Sequence, residues 1–267
     1  MKRGGAGLRS HESGRRDSSS DAWEEVAREN PFWGVLSHDA FVGASASSIP
    51  EEFWRSGELH VARVLDTIRR RFDPSFSPHA VLDFGCGVGR LLRPFAWEAG
   101  EVVGVDASST MRSLALETLR ENGVEKGRVV ATTGELLEHG CSFDLVHSVL
   151  VFQHLRRHVG EQELEQVLAV LAPGGYGALH FYLGRNAPWL RRAVGTARAR
   201  SRLINVLVST LRGAPTTEGL PYEMNAYDLR PLIVRLIDAG ISQLWVEAWL
   251  DGEGTDAMLF FRRDTHR

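Results

Sequence analysis

Between Leu82 and Arg90 the chain reads LDFGCGVGR. An apolar run, AVLDF (80–84), leads into Gly85, Gly87 and Gly89 at alternate positions, and a helical pattern follows. A buried strand has to end there, and the backbone has to turn at once into a helix. Glycine supplies the unusual φ such a turn demands and lets another group approach the backbone. The helix N-terminus beyond it offers unpaired N–H groups. Several nucleotide-binding α/β folds use this device at the ligand edge of their sheet.

The sequence after the turn keeps the same rhythm. EVVGVD (101–106), GRVVAT (127–132), SFDLVHSVLV (142–151) and GGYGALHFYL (174–183) read as strands. Helical patterns cover 89–99, 108–122 with Ser108 or Ser109 as cap, and 160–172, stopped by Pro173 and Gly174. Alternation of this kind predicts a largely parallel sheet with helices on both faces. Residues 226–240 form another helix, with Gly240 at its C-terminus. ISQLWVEAWL and TDAMLFFRR then flank DGEG, a hairpin pattern.

Five segments follow from this reading. Residues 1–20 are rich in Gly, Ser and Arg and predict a disordered tail, with a basic nucleic-acid-binding arm as the alternative. Residues 21–78 are a helical N-terminal piece. In it Asp21 caps DAWEEVAREN, Pro31 ends that helix, and Val61, Val64, Leu65 and Ile68 share one face of a later one. Residues 79–183 are the α/β core. Residues 184–225 are a basic, helical insertion carrying Trp189, Arg191, Arg192, Arg198, Arg200 and Arg202. Residues 226–267 complete the sheet.

Composition narrows the function. The 267 residues carry a formal net charge of −3, without the basic excess of a protein that lives on phosphate backbones. The two cysteines, Cys86 and Cys141, form no CxxC and no Cys/His cluster, so neither a disulfide framework nor a metal site is expected. No apolar stretch reaches the roughly 18–20 residues that span a bilayer. MKRGGAGLRSHESGRRDSSSD lacks a secretory apolar core, so a cytoplasmic location with no membrane partner is expected.

Two acids qualify the glycine turn. The spacing is GxGxG, and Arg90 stands where a dinucleotide-binding turn wants its third glycine. Asp83, inside the strand end, repels a pyrophosphate and suits an ammonium. Asp106, ending the second strand, suits ribose hydroxyls. A ligand with a ribose and a cationic amino acid but no phosphate answers this description, and S-adenosyl-L-methionine is one.

VLDFGCGVGR, VVGVDAS, SFDLVHS and LAPGGYGAL together resemble the class I S-adenosylmethionine-dependent methyltransferases, over about residues 79–183. The run WEEVAREN-PFWGVLSHDAF followed by EEFWRSG is similar to an uncharacterised bacterial branch of them. The resemblance implies a Rossmann-like, seven-stranded, mostly parallel sheet with an antiparallel terminal hairpin. It assigns Asp83, Gly85 and Gly87 to the methionine end of the cofactor and counts Cys86, Gly89 and Ser148 among the cofactor-binding residues. Asp106 and Ala107 take ribose and adenine. The turn at Thr132, Thr133 and Gly134 lies by the adenine, where Thr132 and Thr133 replace the acid many relatives carry. Phe53, Trp54, Ser56 and Gly57 are lid candidates, with aromatic packing as the alternative role.

Methyl transfer requires an acceptor held in line with an electrophilic methyl group and shielded from water, and a base only when the acceptor starts protonated. His154, after the fourth strand, is the first candidate base, with His180 and Tyr182 at the end of the fifth strand as alternatives. His180, Tyr182 and Tyr222 are candidates for contact with the acceptor, and His147 reads as a hydrogen-bonded core histidine. Val149-Leu150-Val151-Phe152-Gln153 lacks the Asn/Asp-Pro-Pro-aromatic motif of base N-methyltransferases. The expected reaction is methylation of a small-molecule acceptor; the arginines of 184–225 suit an acidic one, with a solvated helix face as their alternative role. A cofactor-binding pseudo-enzyme and an RNA or protein methyltransferase are the alternatives.

Overall fold

A computed structural model describes residues 18–185, 224–252 and 254–265. The expected tail, nearly all of the 184–225 insertion with its arginines, and Tyr222 lie outside the described residues.

The seven strands are β1 (Ala80–Phe84), β2 (Glu101–Val105), β3 (Gly127–Val130), β4 (Phe143–Ser148), β5 (Leu171–Arg185), β6 (Ile241–Asp251) and β7 (Gly254–Arg263). They form one sheet in the order β3-β2-β1-β4-β5-β7-β6. β1 to β5 pair in parallel, and β7 inserts antiparallel between β5 and β6. β1 and β2 are buried on both faces after their first residue, which is why they read as unbroken apolar runs.

The helices are α1 (Ser18–Glu29), α2 (Pro31–Val35), α3 (Glu51–Arg71), α4 (Leu92–Glu98), α5 (Ser109–Glu121), α6 (Thr133–Glu138), α7 (Arg157–Ala169) and α8 (Leu229–Asp238). One core packs α3, α4 and α5 against the sheet, and the predicted face of α3 (Val61, Val64, Leu65 and Ile68) is buried in it. A second core, on the other side, holds Leu136 of α6, Leu164 and Val167 of α7, and Leu232 and Leu236 of α8. Each such side chain contributes about 1.5–3 kcal/mol by leaving water. A third, aromatic cluster ties Phe32 of α2 and Phe41 to Phe53 of α3.

Several boundaries differ from the sequence reading. α1 starts at Ser18, so Asp21 lies inside it rather than capping it, and Pro31 opens α2 instead of merely ending α1. The turn after β1 lasts until Leu92, because the three glycines hold positive φ (+77°, +54° and +83°) that no helix allows. α7 ends at Ala169. Leu171 already pairs with Phe143, so Pro173 and Gly174 sit inside β5 at a register shift rather than closing the helix. Ser108 caps α5 by accepting from the Met111 N–H.

Candidate functional site

Strand order reverses between β1 and β4, and in an open α/β sheet that switch point opens a crevice at the carboxyl ends of the strands. A cavity of about 270 Å³ lies there. Its floor comes from the ends of four strands: Asp83 and Gly85, Asp106, Ala131 and Thr132, and the loop Val149–Val151. Trp23 of α1 and Val35 of α2 close it from the N-terminal side, and His154 and Glu163 from the other.

Asp106 is oriented by two backbone donors. Gly87 N–H reaches Oδ2 and Ser108 N–H reaches Oδ1, each at 2.9 Å. Burial raises its pKa, and these two hydrogen bonds pull the other way. Each oxygen keeps a second lone pair. Asp83 accepts from Nδ1 of His147 at 2.7 Å, and both side chains are almost wholly buried. Cys86 borders the cavity, but its sulfur packs against Gly104 of β2. Burial, together with Asp106 and Asp83, keeps its thiol protonated.

The glycines make room for protein as well as for a ligand. A Cβ on Gly85 would collide with Val151, and one on Gly87 would lie 2.5 Å from Cγ2 of Val35. Gly89 does not border the cavity; its hydrogens face Ala115 of α5, at 3.2 Å from that Cα to a built Cβ.

Other candidates move away from the cavity. Ser148 is fully buried and donates to the Phe84 carbonyl at 2.9 Å, tying β4 to β1. Thr132 and Ala107 border the cavity, but Thr133 and Gly134 do not. Thr132 caps α6, which carries its next residues inward, so Thr133 Oγ1 meets Glu163. Phe53 and Trp54 belong to the aromatic cluster rather than to a lid over the ligand. Gly57 lets α3 approach the Arg90 backbone, where a Cβ would lie 2.7 Å from the carbonyl oxygen. Tyr182 packs near the hairpin turn, its Cε2 3.2 Å from a Cβ built on Gly254, and borders neither this cavity nor the next.

A second cavity, about 300 Å³, adjoins the first and shares Arg90, Val149 and Leu150 with it. Ser56, His60 and Arg63 of α3, His180 of β5, and Glu247 and Trp249 of β6 also line it. Arg90 is 5% exposed. Its Nη1 donates to Ser56 Oγ at 3.0 Å, and its buried Nε has no hydrogen-bond partner among the described residues. Burial pulls its pKa down to about 10, with Asp83 opposing. His60 Nε2 lies 2.9 Å from His147 Nε2, so Asp83, His147 and His60 form one hydrogen-bonded line from the first cavity to the second.

His154 borders the first cavity edge-on to Trp23, with ring centroids 4.9 Å apart. Burial lowers its pKa to about 4. His180 Nδ1 accepts the Leu150 N–H, so its proton sits on Nε2, which donates to Asp256 at 3.1 Å. Its pKa is also lowered to about 4, first by burial and then by His147 and His154.

Sequence reasoning did not find His60, Arg63 or Glu247, and noted Arg90 only as a missing glycine. His60 meets His147 across 87 residues, and no local pattern marks it.

Residues 81–175 match the family model described as a methyltransferase domain. A ubiquinone biosynthesis O-methyltransferase of Chelativorans sp. (strain BNC1) is 29% identical over 147 residues, which are 48% of this chain and 56% of that protein. A 23S rRNA (uracil(1939)-C(5))-methyltransferase of Burkholderia thailandensis is 30% identical over 148 residues, 53% of this chain and 30% of that protein. The chain thus spans less than two thirds of the length of the curated relatives it matches first. Among solved structures, magnesium protoporphyrin IX methyltransferase from Synechocystis PCC 6803 with bound SAH superposes with a TM-score of 0.60 at 18% identity. That match covers 92% of this chain and 98% of that one, a likeness of fold.

Proposed function

We propose that this chain, whose residues 81–175 match the methyltransferase-domain model, is a class I S-adenosylmethionine-dependent methyltransferase that transfers a methyl group by in-line displacement to a small-molecule acceptor. The observation that carries the reading is the pair of adjoining cavities that meet at Arg90, Val149 and Leu150. One is built for the cofactor, the other is free for an acceptor, and the methyl group would cross the shared wall.

The residues present suit the cofactor. Asp106 retains lone pairs for two ribose hydroxyls, with its carboxylate already aimed by Gly87 and Ser108. Asp83 offers a carboxylate to an ammonium. Val105, Leu155 and Val159 give the apolar surface an adenine needs. When bound, S-adenosylmethionine supplies a methyl group already activated on a sulfonium. What the chain adds is position and dryness. Leu150, held by His180, fixes the wall between the cavities. Trp23 and Val35 cover the entrance from the N-terminal side. Arg90 gives the acceptor side a cation and so favours an acceptor that carries or develops negative charge.

The test is thermal unfolding with S-adenosylhomocysteine and NAD in parallel. At about 100 times its dissociation constant a native-state ligand adds roughly 2.7 kcal/mol, on the order of 5 °C for a chain of this size. A shift with the adenosyl ligand alone, lost in Asp106→Ala, is the expected result. No shift in a folded sample defeats the reading.

A further inference from the structure

We infer that the second cavity is the acceptor site and that His60 takes the proton from a weakly acidic hydroxyl, of the phenol kind, on an otherwise apolar acceptor. This rests on the methyl-transfer reading above.

The positions of the hydrogens follow from the contacts. A carboxylate only accepts, so the 2.7 Å contact between Asp83 Oδ1 and His147 places the His147 proton on Nδ1. In a neutral His147 ring Nε2 is then a lone pair, and His60 Nε2, 2.9 Å away, donates to it. His60 is therefore the Nε2–H tautomer, and its Nδ1 keeps a lone pair. No hydrogen bond from a described residue occupies that atom, and the ring borders the second cavity. An imidazole anchored at one nitrogen and open at the other is placed to accept a proton.

The groups around it select the acid. His147 and Asp83 lie behind His60 on β4 and β1. Arg90 comes from the glycine turn, Arg63 from α3 and His180 from β5. Glu247 of β6 pairs with Arg63 at 2.8 Å. Burial first, and then the surrounding charges, Arg90 and Arg63 among them, hold the His60 pKa well below 6.5, so the ring is neutral and weakly basic at neutral pH. Such a base does not reach an aliphatic alcohol. Among hydroxyls a phenol comes nearest to its reach, with a pKa near 10 that falls further beside a guanidinium. An ammonium acceptor is disfavoured by Arg90. The walls contributed by Trp249, Met258, Phe260 and Val64 suit a flat apolar body.

The step balances. The acceptor oxygen uses a lone pair to form the O–CH₃ bond, and the C–S electron pair leaves with sulfur as S-adenosylhomocysteine. The hydroxyl proton passes to Nδ1 of His60. The resulting charge is shared through His147 towards the Asp83 carboxylate. His60 is thus the catalytic residue, and His147 and Asp83 are positioning residues.

The test uses the full chain saturated with S-adenosylhomocysteine and two readouts. ¹⁵N-histidine NMR of the wild type is expected to show Nε2–H on His60 and Nδ1–H on His147; a proton on His60 Nδ1 overturns the assignment. 4-Nitrophenol is then added at a pH one unit below its own pKa. Bound probe is expected to show the red-shifted phenolate band, with His60 Nδ1 becoming protonated and at least tenfold weaker binding in His60→Gln. No band in the wild type, or equal binding in the variant, overturns it. The thermal shift with S-adenosylhomocysteine, measured on the same samples, separates the two readings. Its absence defeats methyl transfer itself, while its presence without a phenolate band defeats only the acceptor assignment.

Discussion

The backbone N–H of Leu150 donates to Nδ1 of His180 across 3.3 Å, and Leu150 holds a φ of +61°, the one positive value at a non-glycine among the described residues. A leucine in that region costs about 1–2 kcal/mol, so the surroundings must enforce it. His180→Leu would leave the half-buried Leu150 N–H without its acceptor and Asp256 without the His180 donor. The expected loss is about 2–4 kcal/mol in chemical denaturation, with weaker S-adenosylhomocysteine binding because Leu150 walls both cavities. Unchanged stability would show that other contacts hold the loop.

Acid is expected to weaken the fold in two separate windows. His154 and His180 have folded-state pKa values near 4, below the 6.5 of the free side chain. The unfolded chain therefore binds more protons between these values. Stability is full above pH 6.5 and falls as pH drops towards 4, by at most about 1.4 kcal/mol per pH unit for each ring. Urea midpoints measured from pH 7 to 4 check this, and a flat profile contradicts it.

Glu24 belongs to the lower window. It accepts from the hydroxyls of Ser108, Ser109 and Thr110 and so holds α1 on the start of α5. Burial raises its pKa, but these hydrogen bonds outweigh it and bring the value down to about 2. Its contribution is present above pH 4.5 and lost as pH falls to 2. Glu24→Gln is expected to cost on the order of 1 kcal/mol, since the site is partly wet, and to speed proteolysis before Phe53 at neutral pH.

Gly85→Ala should separate backbone strain from crowding. The new methyl group meets Val151 and sits at a φ of +77°. A loss of about 2–4 kcal/mol is expected. Adding Val151→Ala should recover the crowding part but leave about 1–2 kcal/mol of conformational cost. Full recovery would mean that the φ is not strained.

The lining of the first cavity was legible because it comes from short, contiguous signals. Asp83, the glycines and Asp106 each end a buried strand, and apolar runs mark buried strands. The second cavity was legible only in part. Ser56 and His180 were among the candidates, but His60, Arg63 and Glu247 come from α3 and β6, and only the sheet order brings them together with Arg90. Aromatic residues misled in the same way. Phe53 and Trp54 look like a lid in one dimension, whereas Phe32 and Phe41 absorb Phe53 into a core. Thr133 and Gly134 were misplaced because a threonine cap starts a helix where a loop was expected.

Asp83 faces two clients. It borders the first cavity and also receives the His147 proton. A cation settling on it from the first cavity would compete with that hydrogen bond, so filling one cavity would alter the proton affinity of the line that ends at His60. Coupling between sites is reciprocal. Whatever the first occupant does to ionisation in the second cavity, the ionised second occupant does in equal measure to the grip on the first. The order in which ligands enter and leave is therefore tied to where a single proton rests.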